Sequence, residues 1–374
     1  MRKRLIAYAL FLLSFVGLTY LFVDLNLTYL NPLVTGFFQS HRGIVAILYI
    51  LALFILFYFY RIFLEVSNIS SLKKIIIVTV TILIFAYPAM LSYDIFNYIF
   101  TSKVLFFYHE NPYIIMPIEF TGDPLLLFTH AANKVALYGP SWILITGIPF
   151  LLGFGNFILT LFSFKLVIAA FYLATSYLIF KISKDPGKVA FFALNPLVLI
   201  ESLVSGHNDV VMIFFALLSI NLLIKNKFKW AVLFLIISIL IKYATIFLLL
   251  VFLHYLFIRI KKKKIDPQRL FMFSSVLMLV VFFLSPIREE IYPWYAIWFI
   301  AFVALIPKYR FLRYMTVLIS FVLLLRYLPF MYLGTYFAPT PVIKITVTFV
   351  PLVIFACWYF ITNKHIRAKL LKLK

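Results

Sequence analysis

IVAILYILALFILFYFYRIF (44–63) decides the class of this protein. Its twenty residues carry one charge, Arg61, close to the end. A helix crosses the hydrocarbon core of a bilayer in roughly 20 residues, and this stretch has no polar face to turn toward water. Comparable apolar runs lie near 5–23, 75–91, 156–180, 189–204, 209–224, 270–285, 314–330 and 342–362. The run 230–258 is longer but interrupted at Lys242-Tyr243, so it reads as two short helices, and 294–306 is short and rich in Trp and Tyr. The pattern predicts an all-α polytopic integral membrane protein, one multispan domain over 1–374 with about 12 transmembrane helices. The first run follows MRKR without a small-residue cleavage site, which reads as a signal anchor.

Composition agrees. Of 374 residues 65% are hydrophobic and 12% charged, where a soluble domain carries about 25% charged residues. That excludes a soluble enzyme, a nucleic-acid-binding domain and a disordered chain. The formal charge of +22, from 34 Lys+Arg against 12 Asp+Glu, therefore needs an explanation other than a polyanion partner. The positive-inside rule supplies it. With the N-terminus in the cytoplasm, 26 of the 34 basic residues fall in cytoplasmic segments, and so does the C-terminus. Nine of the 12 acids fall on the other side; acids are weak topology signals, so their gathering there has a separate cause. The single cysteine, Cys357, permits no intramolecular disulfide.

Residues 92–155 form the first large outer loop, and long structured loops are usually functional. It opens with SYDIFNYIFTSKVLFFYHENPY (92–113), whose polar residues interrupt an aromatic stretch as in an interfacial amphipathic helix. SWILITGIPFLLG (141–153) is apolar but too short to span, and so lies flat or dips in from outside.

Four places carry polar groups where the bilayer makes them costly. Asp94 is either a helix-terminal acid in the headgroup zone or a general base in a partly desolvated pocket, with Tyr93, Asn97 and Tyr98 as positioning partners. In ESLVSGHNDVV (201–211), a turn at Gly206 followed by Asn208 or Asp209 capping the next helix explains one of these residues. It leaves Glu201 and His207, which suit hydrogen bonding to a sugar or phosphate. A divalent metal has little support, because no second His or Cys stands at ligand spacing, and no cofactor is expected. Lys242 breaks an apolar run, where an ammonium costs about 2.5–3.5 kcal/mol; it is either a snorkelling lysine or, at the outward tip of a helical pair, a cation for an anionic lipid headgroup. IREEIYPWYAIW (287–298) offers Trp294 and Tyr295 as an interface belt or as sugar-stacking rings, and Arg288 as an ion-pair partner of its neighbouring glutamates or a phosphate contact.

SYDIFNYIF (92–100), ENPY (110–113), YGPSW (138–142), NPLVLIESLVSGHND (195–209), IKYATIFLLL (241–250) and YPWYAIW (292–298) stand in an order that resembles the GT-C glycosyltransferases, specifically the polyprenol-phosphate-mannose-dependent α-1,6-mannosyltransferases. The resemblance covers 92–298 and implies a GT-C-type fold with interfacial helices in the outer loop. It implies a base at Asp94, lipid-phosphate contacts at Lys242 and Arg288, and sugar or acceptor contacts around Tyr138 and the turn Gly206 to Asp209. Many members carry a second acid two residues before the base; here that position is Ser92. The implied reaction is an inverting sugar transfer at the extracytoplasmic face, from a polyprenyl-phosphate sugar, mannose foremost, to a glycan or glycolipid acceptor. A multispan lipid transporter or flippase and a non-catalytic scaffold share the composition. The first should show internal repeats and midplane ionisable groups; the second keeps the fold without the chemistry.

Overall fold

A computed structural model describes residues 2–23, 27, 36–287 and 290–362. Among them there is no strand, and the apolar runs are helical. In chain order these are α1 (Arg2–Tyr20), α2 (Arg42–Phe63), α3 (Ile69–Leu83), α4 (Asp94–Phe106), α5 (Pro140–Leu152), α6 (Phe157–Ser183), α7 (Pro186–Ala193) and α8 (Pro196–Leu199). They continue with α9 (Asp209–Ile224), α10 (Phe228–Ile239), α11 (Leu249–Ile260), α12 (Pro267–Leu284), α13 (Ile297–Ala304), α14 (Arg310–Leu325), α15 (Leu328–Leu333) and α16 (Thr340–Thr362). The protein is a polytopic membrane protein. Among the described residues seven helices are long and apolar enough to cross a bilayer, or eight if the pair α7 and 196–204, bent by 57°, is one span. The expectation of about 12 spans differs because α3, α9, α10 and the 293–304 helix are shorter than a bilayer is thick.

Start signals are local. Asn68, Asn156, Asp185, Asn195 and Asp266 each accept a backbone N–H of the first turn that follows, and Pro140, Pro186, Pro196 and Pro267 stand at first helical positions, where a missing N–H costs nothing. The centre is α9, packed on α6, α10 and α13, with α13 buried over all eight residues. At the periphery, α16 packs on α14 and buries few side chains besides Thr348 and Leu352.

Polar side chains tie the helices where no water competes. The Tyr49 hydroxyl donates to Leu324 O at 3.0 Å, Tyr60 to Phe191 O at 3.0 Å, and Asn195 Nδ2 to Ser320 Oγ at 3.0 Å. The chain leaving α3 is held from three sides: Tyr20 donates to Phe85 O, Thr19 Oγ1 accepts from Tyr87 N, and the buried Lys165 ammonium donates to Ala86 O and Leu83 O. That grip fixes the lead-in to Asp94.

The 92–155 segment holds the two expected helices, with one departure. Instead of floating one wet face, α4 buries nine of its 13 residues against α5, α6 and neighbouring turns. Asn97, one of the polar residues that suggested a wet face, is buried too, as are Thr101 and Ser102. By contrast α5 keeps an exposed apolar stripe, Leu144, Ile148 and Leu151.

Candidate active site

Asp94 is the first residue of α4, and its backbone N–H faces Ser92 Oγ at 3.3 Å. A carboxylate at a helix N-terminus is favoured by the free N–H groups there. Opposite lies the 195–209 segment. Helix α8 runs on into a π-helical turn, Ile200–Val204, a rare geometry concentrated at functional sites. Ser205 N donates to Ile200 O and His207 N to Glu201 O, both at 2.8 Å. Gly206 turns the chain at φ +74°, where an added Cβ would stand 3.1 Å from Ile95 Cδ1. This wide turn brings Glu201 and His207 together.

The His207 ring lies between two acids. Nδ1 is 3.5 Å from Asp94 Oδ2 and Nε2 is 3.3 Å from Glu201 Oε2. Both distances exceed a well-made hydrogen bond, so charge and packing hold the ring. It stacks on Trp294 with centroids 3.9 Å apart, and Trp294 stacks on Tyr292. Glu201 Oε1 accepts from the Tyr327 hydroxyl at 3.0 Å. Burial alone would push the imidazole down, but the carboxylates of Asp94 and Glu201 on either side outweigh it and raise His207 to about 9. Burial likewise pushes Asp94 up, and His207, Lys242 and Asn97 overcome it and hold the carboxyl below its usual range.

A second ion pair lies alongside. Lys242 Nζ is 2.9 Å from both oxygens of Asp209, and Trp298 Nε1 donates to Asp209 Oδ1 at 2.6 Å. The ammonium sits 5.1 Å over the Tyr295 ring, itself stacked on Trp298. Of the three acids, Glu201 and Asp209 have no exposed side-chain surface, whereas Asp94 is 27% exposed. Asp94 is thus the carboxylate a substrate can reach.

The aromatic loop completes the wall. Tyr98 OH accepts from Asn208 N at 3.4 Å, and its ring meets Tyr138 and Trp142 edge-on. Gly139 lies against the chain break after α10: its N–H donates to Ile241 O, and a Cβ there would fall 2.1 Å from Leu240 O. Asn97 Oδ1 accepts from Ala131 N, and Tyr93 stacks on His130 at 3.6 Å. Asn208 is fully buried with neither end of its amide partnered, and Ser202 and Ser205 hydroxyls are likewise unpartnered. Buried orphans of this kind cost about 1–3 kcal/mol each and suit a ligand rich in hydroxyls. Among the described residues no group of three or more His, Cys, Asp or Glu side chains could hold a metal ion.

The chain over residues 6–259 matches the family model described as alpha-(1->6)-mannopyranosyltransferase, N-terminal domain. This chain belongs to that mannosyltransferase family. No curated protein and no solved structure matches it. The protein is a membrane glycosyltransferase, and its sequence-predicted site residues converge: Asp94, Tyr98, Tyr138, Glu201, His207, Asn208, Asp209, Lys242, Trp294 and Tyr295 form one cluster, with Asn97 and Tyr93 on its rim.

Three expectations change. Neither Asn208 nor Asp209 caps α9 with its side chain, because Asp209 is engaged by Lys242 and Trp298. Lys242 carries a buried counter-ion that the sequence reading did not give it. Glu290 pairs with Arg326 at 2.6 Å and Lys344 at 3.2 Å, partners that the sequence reading did not give it; Arg288 lies outside the described residues. Tyr327 and Trp298 were missed as site residues. An arginine inside an apolar span, Arg326, was the available pointer to Tyr327.

Proposed function

We propose that this mannosyltransferase transfers mannose from a polyprenyl-phosphate donor to a hydroxyl of a glycan or glycolipid, with inversion, at the extracytoplasmic face. The observation that carries the reading is the asymmetry of the three acids: Glu201 and Asp209 are enclosed and tied to His207 and Lys242, and Asp94 alone of them is reachable. One free carboxylate suits a single displacement; a double displacement needs two carboxyl groups about 5–5.5 Å apart across the sugar, by analogy with glycosidases.

Asp94 takes the acceptor proton as the acceptor oxygen attacks the anomeric carbon, and the phosphate leaves on the opposite side as an anion. Lys242 is the donor-phosphate contact, with Arg288. Its ammonium has three N–H groups and keeps 20% of its side chain exposed beside the Asp209 contact, so one face is left for phosphate. Developing charge on the leaving phosphate is then met by a fixed cation. Tyr138, Trp294 and Tyr295, which keep some exposed surface, line the sugar site with ring edges and hydroxyls. A β-linked lipid donor gives an α product, in keeping with the family's description. Charge supports the extracytoplasmic placement: α9 starts at Asp209 in the site and ends at Ile224, some 24 Å away at 1.5 Å per residue, and the lysines that follow it, read as cytoplasmic, favour a site on the far side.

The test is transfer by purified protein in liposomes from radiolabelled polyprenyl-phosphate mannose to an octyl α-1,6-dimannoside. Asp94→Asn should lower kcat about 10²–10⁴-fold in a protein that still folds and inserts. Wild-type transfer by Asp94→Asn would sink the base assignment, and lipid movement without transfer would favour a transporter.

A further inference from the structure

We propose that Glu201, His207 and Tyr327 are a buried positioning clamp for Asp94: the His207 ring, gripped between two carboxylates and an indole, fixes both the direction and the charge of the base. This rests on the reading of Asp94 as the acceptor's base.

Four geometric facts carry it. His207 presents one ring nitrogen to each acid, Nδ1 to Asp94 and Nε2 to Glu201; neither nitrogen is left for substrate, so His207 acts through Asp94. The ring cannot swing, because it is fully buried and stacked on Trp294 at 18°. Glu201 and His207 move as one unit, joined through the backbone across the π-helical turn at 2.8 Å. Tyr327, 126 positions along the chain, occupies the Glu201 oxygen that His207 does not. The order Tyr327, Glu201, His207, Asp94 is thus one series whose two middle members are fully enclosed and whose last member reaches the open side. A base oriented by a group that is itself oriented by a third is the recurring arrangement of activated sites.

The chemistry explains why a cation belongs there. A carboxylate in an enclosed pocket takes up a proton unless positive charge opposes it, and a carboxylic acid cannot accept the acceptor's proton. The groups facing Asp94 and His207 include Asn97 and Tyr98 of α4, Tyr138, Asp209, Lys242, and Glu201 with Tyr327; Tyr49 of α2 faces Glu201. Among them Lys242 is matched by Asp209, which leaves His207 as the cation that balances Asp94. In the transfer step the bond from the acceptor oxygen to the anomeric carbon forms while the bond to the phosphate oxygen breaks, its electron pair leaving with the phosphate. The acceptor proton passes to Asp94, His207 keeps its own, and Asp94 then releases the proton to water on its exposed side.

The experiment uses the full chain in lipid nanodiscs with ring-¹⁵N histidine. Six histidines are present, and the His207 signal is identified by its loss in His207→Gln. In the wild type this ring should remain protonated through pH 8. In Glu201→Gln it should lose its proton at least about one pH unit lower, and in Tyr327→Phe the shift should be smaller and in the same direction. A neutral His207 at pH 7 in the wild type, or a titration that Glu201→Gln leaves unmoved, overturns the clamp. In the transfer assay Glu201→Gln should lower kcat about tenfold to a hundredfold, as loss of an outer partner of a functional histidine commonly does. Donor and acceptor KM should stay within about twofold, and the alkaline limb of the kcat profile should move to lower pH as His207 loses its proton earlier. Unchanged kcat and limb overturn the proposal. If Glu201→Gln does not fold, Tyr327→Phe decides by the same two readings, and an unshifted ring and profile in it overturn the proposal. A wild type that shows the titration and transfers no mannose refutes the reading of Asp94 as a transferase base while supporting the clamp.

Discussion

Lys242→Met separates the two roles that its position combines. In the native protein the ammonium lies 2.9 Å from both oxygens of Asp209, a carboxylate without exposed surface whose other donor is Trp298 Nε1. Removing the ammonium leaves an enclosed negative charge with one neutral donor. Breaking a buried pair from one side costs about 3–5 kcal/mol; the 20% exposure of the lysine admits some solvent screening, so about 2–3 kcal/mol is expected. Asp209→Asn should cost less, about 1–2 kcal/mol, because the lysine can turn its head toward the opening. The double variant removes both charges at similar volume and should lie within about 1 kcal/mol of wild type. Denaturant unfolding in detergent of all four proteins gives the coupling, expected at about 2–5 kcal/mol; less than about 0.5 kcal/mol would refute the geometry argued for the pair. The transfer assay then isolates the second role. A lost charge-assisted contact of about 1.5–3 kcal/mol should raise the donor KM about tenfold or more in Lys242→Met and in the double variant alike, leaving acceptor KM unchanged. If the double variant regains both stability and native donor KM, Lys242 only neutralises Asp209, and its phosphate role is wrong.

Three further outcomes follow from single positions. Gly206→Ala puts a Cβ at φ +74° and 3.1 Å from Ile95; about 1–2 kcal/mol of destabilisation is expected, with a fall in kcat because the turn carries His207, both read on one preparation. Lys165→Met should cost about 1–3 kcal/mol by taking the ammonium away from Ala86 O and leaving Leu83 O with the Ala86 N–H alone, and protease sensitivity should rise in the 84–93 segment ahead of Asp94; an unchanged melting temperature would contradict it. Thermal stability should decline as pH rises: His207 is raised from 6.5 to about 9, so its contribution is complete below 6.5 and is lost on passing through 9. His207→Gln should flatten that decline.

Much of the fold was legible because hydrophobic burial is local and non-directional. An apolar run such as 44–63 has to be a helix in a bilayer whatever its neighbours do, and Asn or Asp before Pro or an apolar stretch marks the start of α7, α8 and α12 from within a few residues. The individual site residues were legible for the same reason, since Asp94, Glu201, His207 and Lys242 are polar where polarity is costly. Pairing was not legible. Lys242 read as an unmatched cation because its partner, Asp209, lies 33 positions earlier. The polar positions of α4 read as a wet face because sequence periodicity cannot distinguish water from the helices that cover them.

The sequence by itself determined that this chain is a helical membrane protein, which of its ends are basic, and which few groups resist a structural explanation. Tertiary structure decided what those groups do to one another. A π-helical turn, a glycine at positive φ and the packing of α14 against α8, with Tyr327 just beyond α14, bring Glu201 between His207 and Tyr327, and His207 against Asp94. Charge interactions fall off over a few ångströms, so whether Asp94 is one more surface acid or a poised base depends on helix contacts that no local pattern encodes.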